Sequence, residues 1–490
     1  MTDTATPIAA PPINYVTKLL YGVGSMAYGV KDAAFKVFLL YFYNFVIGAP
    51  AGLVGAAILV VMIIDAISDP IVGQISDSLR TRWGRRHPLM YAAALPAAGS
   101  FLLLWFPPAG LEGVGLFWYI VVVASCVRAF ITLYEIPSSA LAPELSSDYD
   151  ERTSIASYRF FFGYFGGIGL AFIALWFFLA ATPEHPHGYT NPAGYEAFGW
   201  AGALIMIVSI LVSTLGTHNR IKYLRHLAPP KVRNPFQTLM LMRRTFSHKG
   251  FLAVLAFGIL KYTAIGMSSA LILYFGTLLW GLGNQEMALL ALDGFLGAFL
   301  ALLVAPWISR RFGKRGAAFL LAVTGVLLAV SPYVLRLLGL FYANGDPMLL
   351  PALFVISSLY SSCAISSAIL VHAMIGDVAD ESAIATGRRA EGLFYSANSF
   401  MQKCASGFGA MVASIMLAIV GMPANARTAG VDPDVITSLA ELYIPTMALL
   451  FIGGALFLKF YRIDRSNHES NLAALEAQNA APVDVEPVVK

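Results

Sequence analysis

Residues 51–86 read AGLVGAAILVVMIIDAISDPIVGQISDSLRTRWGRR, and the class of the molecule can be read from them. The apolar run near 52–77 is long enough to cross about 30 Å of hydrocarbon, which takes about 20 helical residues. Two carboxylates interrupt it, Asp65 and Asp69, four residues apart and therefore on one helical face. Asp77 follows, and then a basic tight turn, Arg82-Trp83-Gly84-Arg85-Arg86.

Outward from this stretch the pattern repeats. Apolar runs of spanning length fall near 22–47, 52–77, 88–106, 114–140, 154–181 and 198–217, then near 250–279, 285–308, 316–338, 348–375, 389–421 and 436–461. The 490 residues are 58% apolar and only 12% charged. Soluble chains carry roughly 25% charged residues, so this chain cannot coat its core with water-compatible surface. The expected fold is an all-α polytopic membrane protein in the cell membrane. A transmembrane barrel would use shorter, alternating segments. Low charge excludes disorder, and Cys126, Cys363 and Cys404 lie in apolar runs, so no disulfide framework is implied. A net charge of +4 gives no reason to expect a nucleic-acid partner. The lipid bilayer is the partner the composition demands.

Loop cations set the orientation. Arg80, Arg82, Arg85, Arg86, Arg152, Arg220, Lys222, Lys314, Arg315, Arg388 and Arg462, with others beside them, share one set of loops, while the opposite set holds Arg336 and Arg427. The positive-inside rule then places both termini in the cytoplasm. The expected organisation is a disordered tail over 1–14, a six-helix bundle over 15–218, a basic linker over 219–249, a second bundle over 250–465 and a polar tail over 466–490. The tail lacks a basic start and cleavage site, so the first span is expected to act as an uncleaved signal-anchor. The halves echo each other: Trp83-Gly84-Arg85-Arg86 and Phe312-Gly313-Lys314-Arg315 are offset by 229, and Ser138-Ser139-Ala140 and Ser366-Ser367-Ala368 by 228. At that spacing Asp65 meets Asp293. Twelve spans in a six-plus-six repeat are the plan of the major facilitator group, whose binding site lies near the midplane between halves. The chain contains no G-x-x-x-x-G-K-[ST] phosphate loop, which leaves an ion gradient or simple equilibration to drive transport.

Ionisable residues within spans are costly and mark candidate sites. Asp65 and Asp69 cannot both ionise cheaply side by side, so they share a proton, hold a monovalent cation such as Na⁺ through their oxygens, or salt-bridge to a neighbouring helix. In the first span, Asp32 completes an acidic cluster or Lys31 neutralises one, and Lys36 snorkels toward the surface. Glu135 precedes Pro137, whose missing N–H frees a carbonyl toward a cavity. Its alternative is a buried pair with Arg128, seven residues earlier. Arg159 lies near the start of the fifth span. Lys403, among Cys404, Ala405, Gly407 and Gly409, needs a carboxylate from another helix. Asp293, Lys261 and Asp377 read as packing or loop-edge charges, and His372 as a pore-lining or packing residue. Asp77 with Arg82, Gly84 and Arg85 reads as a cytoplasmic gate, or as a purely topological signal.

These residues resemble the glycoside–pentoside–hexuronide:cation symporter family, the melibiose permease-like carriers of the major facilitator superfamily. The likeness runs through Gly52-Leu53-Val54-Gly55, Asp65-Ala66-Ile67-Ser68-Asp69-Pro70, Arg82-Trp83-Gly84, Glu135-Ile136-Pro137, Tyr158-Arg159-Phe160-Phe161 and the Lys403 region. The resemblance implies that Asp65, Asp69 and Thr132 match cation-site positions. It implies that Lys31 and Asp32 match a pair whose acid binds sugar hydroxyls together with the acid at Glu135. Arg159 would contact sugar, and Lys403 would lie near both sites. Where the family has a sugar-stacking Trp, this chain has Ser139, so a large aromatic contact is lost.

The expected function is therefore secondary active, cation-coupled symport of a sugar or glycoside, with Na⁺ or H⁺ as coupling ion and no cofactor. A related branch transports lysophospholipids with sodium. Ser139, the apolar spans and the small residues of 357–367 leave room for such an amphiphile. Neither a nucleophile–base motif nor a metal-ligand cluster supports an enzyme.

Overall fold

The computed structural model describes residues 13–146, 149–183, 188–224, 249–386, 391–424 and 431–461. The expected tails, except 13–14, and most of the 219–249 linker lie outside the described residues. The described residues form helices joined by short turns, with one isolated bridge between Thr81 and Gly84 in place of any sheet. Ten helical stretches are long and apolar enough to cross a membrane. One of these, Asn284–Leu337, runs 54 residues and breaks at Gly313, where φ is 68° and ψ 164°. The stretch 15–46 is also helical save for a turn at Gly24, but it alternates α and π segments.

In chain order we label α1 (15–46), α2 (Ala51–Ser78), α3 (His87–Leu104), α4 (Gly113–Leu145), α5 (Tyr149–Ile173), α6 (Pro192–His218), α7 (Lys249–Tyr274), α8 (293–312), α9 (314–337), α10 (Leu349–Thr386), α11 (Glu391–Ile419) and α12 (Pro433–Phe457). Their starts follow local chemistry. The Asn14 side chain accepts from the Thr17 N–H, and Asn191 and Asp432 cap starts that carry Pro at the first helical position. Pro70, Pro96, Pro306, Pro332 and Pro445 sit within helices, where neighbouring helices can re-satisfy the freed carbonyls. Large apolar side chains such as Leu95, Leu204, Leu302 and Leu449 point outward and are mostly exposed. That surface is incompatible with water and suited to lipid.

The repeat read from sequence has a conformational counterpart. Gly84 and Gly313, 229 residues apart, both adopt positive φ, 80° and 68°, which glycine alone takes without strain. Helix pairs repeat as well. In the first half α1 meets α5 so closely that a Cβ on Gly29 would lie 2.0 Å from the Gly163 carbonyl oxygen. In the second half α7 meets α11, where a Cβ on Gly409 would lie 2.2 Å from the Thr263 carbonyl oxygen. Small residues let membrane helices approach where no hydrophobic force drives them together.

The halves touch along α2 and α11, where Gly55 faces Ser414 and Gly407 faces Met62. They also join where α1 and α7 end. There the Tyr274 hydroxyl donates to Asn44 at 2.9 Å, and the Tyr274 ring packs edge-on against Tyr41 and Phe45. This junction lies at the end of the molecule opposite the basic turns.

Gly29→Val should be poorly tolerated, because a backbone carbonyl cannot step aside, with a cost at the upper end of the ~1–3 kcal/mol typical of overpacking. Gly52→Val, with nothing within 4 Å of its Cβ, should leave the apparent melting temperature in detergent nearly unchanged. Comparing the two melts checks the close approach of α1 and α5.

Candidate functional site

Four acids and four bases meet among α1, α2, α4 and α11. Asp65 and Asp69 come from α2, Arg128, Thr132 and Glu135 from α4, Lys31, Asp32 and Lys36 from α1, and Lys403 from α11. The spacing of Asp65 and Asp69 does bring both to one face, that facing α4 and α11. Arg128 donates to Asp65 at 2.6 Å, and Lys403 approaches the same carboxylate at 2.8 Å. Lys403 also donates to Asp69. The Thr132 hydroxyl lies between the two acids, 3.3 Å from Asp65 and 3.2 Å from Asp69. Lys31 donates to Glu135 at 3.2 Å and stands 3.6 Å from Asp32, which in turn holds Lys36 at 2.8 Å.

Several alternatives left open by the sequence are decided here. Glu135 takes Lys31, while Arg128 takes Asp65, so the Arg128–Glu135 pair does not form. Lys36 ion-pairs with Asp32 one turn back on its own helix. Lys403 finds the carboxylates it required, two of them, on the opposite half. The Asp65/Asp69 pair is therefore not bare, since two protein cations already neutralise it. Arg128 as the partner of Asp65 was the residue that spacing within α4 concealed, because the pairing runs between helices.

Exposure divides the acids. The Asp65 side chain is 1% exposed, Asp69 18%, Glu135 30% and Asp32 43%. Asp69 is thus the more accessible of the paired acids, and Asp65 lies buried against Arg128. Oxygens from Asp65, Asp69 and Thr132 are the hard ligands a monovalent cation takes, and Lys403 occupies the space between the two carboxylates. No group of three or more His, Cys, Asp or Glu that could hold a metal ion occurs among the described residues.

Arg159 stands apart from these pairs. It donates to Ser139 at 2.7 Å and lies over the rings of Tyr21 and Tyr28. The position where the resembling family carries an aromatic is thus tied to an arginine. Lys261 of α7 is fully buried, and its amine has no hydrogen-bond partner among the described residues. His372 is exposed and stacks on Tyr395.

At the basic end, Arg86 rather than Arg85 binds Asp77, at 2.6 Å. Both arginines reach Glu144 at the end of α4, at 3.2 Å from Arg85 and 3.0 Å from Arg86. Arg82 lies over the Trp83 ring. Gly84 supplies the left-handed bend that turns this cluster back toward α3. The second half repeats the device, with Lys314 donating to Asp377 at 2.6 Å and the Tyr461 hydroxyl donating to it at 2.8 Å. Glu144 was invisible as a gate residue in sequence because it lies 58 residues beyond Arg86.

Arg128→Ala should leave a sealed carboxylate with one counter-charge fewer, at a cost of about 3–5 kcal/mol. The double variant Asp65→Leu/Arg128→Leu should recover most of it, because an apolar pair of similar volume needs no charge compensation. Thermal unfolding of both in detergent checks the assignment.

Comparison with known proteins shows what the chain resembles. It matches the family described as MFS/sugar transport protein over residues 20–465. It is 25% identical to the isoprimeverose transporter of Lactiplantibacillus pentosus, over 98% of this chain and 95% of that one. It is 24% identical to the sodium-dependent lysophosphatidylcholine symporter 1 of Xenopus tropicalis, over 95% of this chain and 90% of the relative. Among solved structures it superimposes on a D-xylose-proton symporter with a TM-score of 0.62 at 14% identity, covering 92% of this chain and 98% of the other. That likeness shows a common fold.

Proposed function

This chain belongs to the MFS/sugar transport protein family as a multi-pass membrane transporter and not an enzyme, and we propose that it carries out cation-coupled symport of a sugar or glycoside by alternating access. Twelve crossings, in bundles over 15–218 and 250–465 with both termini cytoplasmic, are the architecture this reading takes. The break at Gly313, the helical stretch 15–46 and the basic turns support it.

The observation that carries the reading is the bridge from Lys403 to Asp69 and Asp65, made between the halves beside the partly exposed Asp32 and Glu135. A carrier must rock its halves about a central site, and an ion pair spanning them ties binding to that motion. Na⁺ or H⁺ entering at Asp69 displaces the Lys403 amine, with Thr132 and Asp65 completing the oxygen set for Na⁺. The freed Lys403 and the vestibule acids Asp32 and Glu135, with Arg159 and Lys31, then receive hydroxyls of the substrate. Coupling follows if the empty and fully loaded forms rock while the singly loaded form does not. The junction of Asn44 with Tyr274 supports an inward-facing state, since it closes the end away from the basic turns. Asp77, Arg82, Gly84, Arg85 and Arg86 form the cytoplasmic gate in this reading, each base held within its own half until closure.

A second reading keeps the cation site and replaces the sugar with a lysophospholipid. It is favoured by the similarity to the lysophosphatidylcholine symporter and by Ser139 tied to Arg159. Uptake panels in proteoliposomes, run over sugars and lysophospholipids with and without a sodium gradient, separate the two.

Asp69→Asn should abolish gradient-driven accumulation; uphill uptake by that variant would remove the coupling role. Glu135→Gln should weaken substrate binding by about tenfold, the loss of roughly one charge-assisted hydrogen bond, while cation affinity changes little. Equal losses in both would make Glu135 a structural partner of Lys31.

A further inference from the structure

The second half holds a cavity of about 330 Å³ that none of the ion-paired acids and bases of the candidate site lines, near the lower end of small-molecule pockets. Its lining combines aromatic rings with an acid and hydroxyl groups. The rings include Trp280 and Tyr333, 5.6 Å apart, with Phe275 and Tyr443 at 4.7 and 4.9 Å from Tyr333. The polar lining includes Asp293, at the start of α8, with Ser357, Tyr360 and Ser361 of α10. Ser361 donates to the Asp293 carboxylate at 3.3 Å. The Tyr360 hydroxyl is shielded from solvent.

The contrast with the repeat-related acid is informative. Asp65 is held by an arginine and a lysine, whereas among the described residues no Lys, Arg or His lines the cavity around Asp293. A carboxylate offers about four acceptor positions, and hydroxyl groups are what surround this one. Aromatic rings together with an acid and hydroxyl groups suit a ligand ring with an apolar face and a hydroxylated edge. Tyr164 of α5 also lines the cavity, and a Cβ on Gly294, beside Asp293, would lie 3.1 Å from Ile168 of the same helix α5. The pocket is thereby completed by the helix that follows the candidate site's α4 in the first half.

We propose that the Asp293 cavity is a second sugar subsite, which takes a further pyranose ring of a di- or oligosaccharide whose first ring is held at Asp32 and Glu135. This rests on the sugar-symport reading and extends it by assigning substrate length to the second half. The test is equilibrium binding to the full-length protein in nanodiscs, with the disaccharide isoprimeverose and the monosaccharide xylose as probes in saturating Na⁺. Asp293→Asn and, separately, Ser361→Ala should lower isoprimeverose affinity, about tenfold for the first, and collapse the preference for disaccharide over monosaccharide. Asp32→Asn should weaken both sugars alike. Unaltered isoprimeverose affinity and preference in Asp293→Asn and Ser361→Ala, with Asp32→Asn impaired, would overturn the subsite and leave sugar symport standing. A wild-type protein that binds neither sugar would overturn symport of sugar, and the subsite with it. Choline binding that is lost in Asp293→Asn, with no sugar preference to lose, would overturn it in favour of a cationic headgroup. Because Ser361→Ala removes a single oxygen, it keeps the test decisive if Asp293→Asn fails to fold.

Discussion

Everything at the centre of this protein is governed by the cost of placing charge where water is scarce. The bridge from Lys403 to Asp65 and Asp69 meets that cost with groups from opposite halves. In a medium of low dielectric neither side can be left without compensation, so the bridge fixes how the halves approach and what must happen before they part. Asp65 remains neutralised by Arg128 when Lys403 moves away, while Asp69 does not. The more exposed of the two acids is thus the one with a single protein counter-charge, and an ion from solution can take that place.

The same economy organises the rest of the vestibule. Lys31, one of the most buried bases in the first half, leans on the partly exposed Glu135, and Asp32 shares itself between Lys31 and Lys36. Each of these partly exposed acids carries a base, for which in the proposed cycle the substrate's hydroxyls compete. At the basic end the charges answer a different need. Arg85, Arg86 and Lys314 sit where the chain reverses, each closed onto an acid of its own half, Glu144 on α4 or Asp377 on α10. The left-handed glycines at 84 and 313 make both reversals possible.

Family membership places these devices on a transporter, while the residue roles come from the chain's own geometry. The Asp293 cavity shows how a repeat diverges. One acid of the offset pair is locked into ion pairs and the other lies among hydroxyls and rings, so the two positions carry different chemistry.

Hydropathy by itself determined that the chain is helical and membrane-embedded, because burying so much apolar surface with so little charge has no aqueous solution. Helical spacing put Asp65 and Asp69 on one face, and the isolation of Lys403 among small residues demanded a distant acid. The equal offset of Gly84 and Gly313 made the repeat legible. Tertiary structure alone decided which base answers which acid: Arg128 turned to Asp65 and away from Glu135, Arg86 took Asp77, and Lys36 folded back onto Asp32. The reason is physical. A period of 3.6 residues fixes the direction in which a side chain leaves its own helix, but an ion pair between helices depends on their axial shift and tilt, which packing of glycines such as Gly29, Gly163, Gly266 and Gly409 sets.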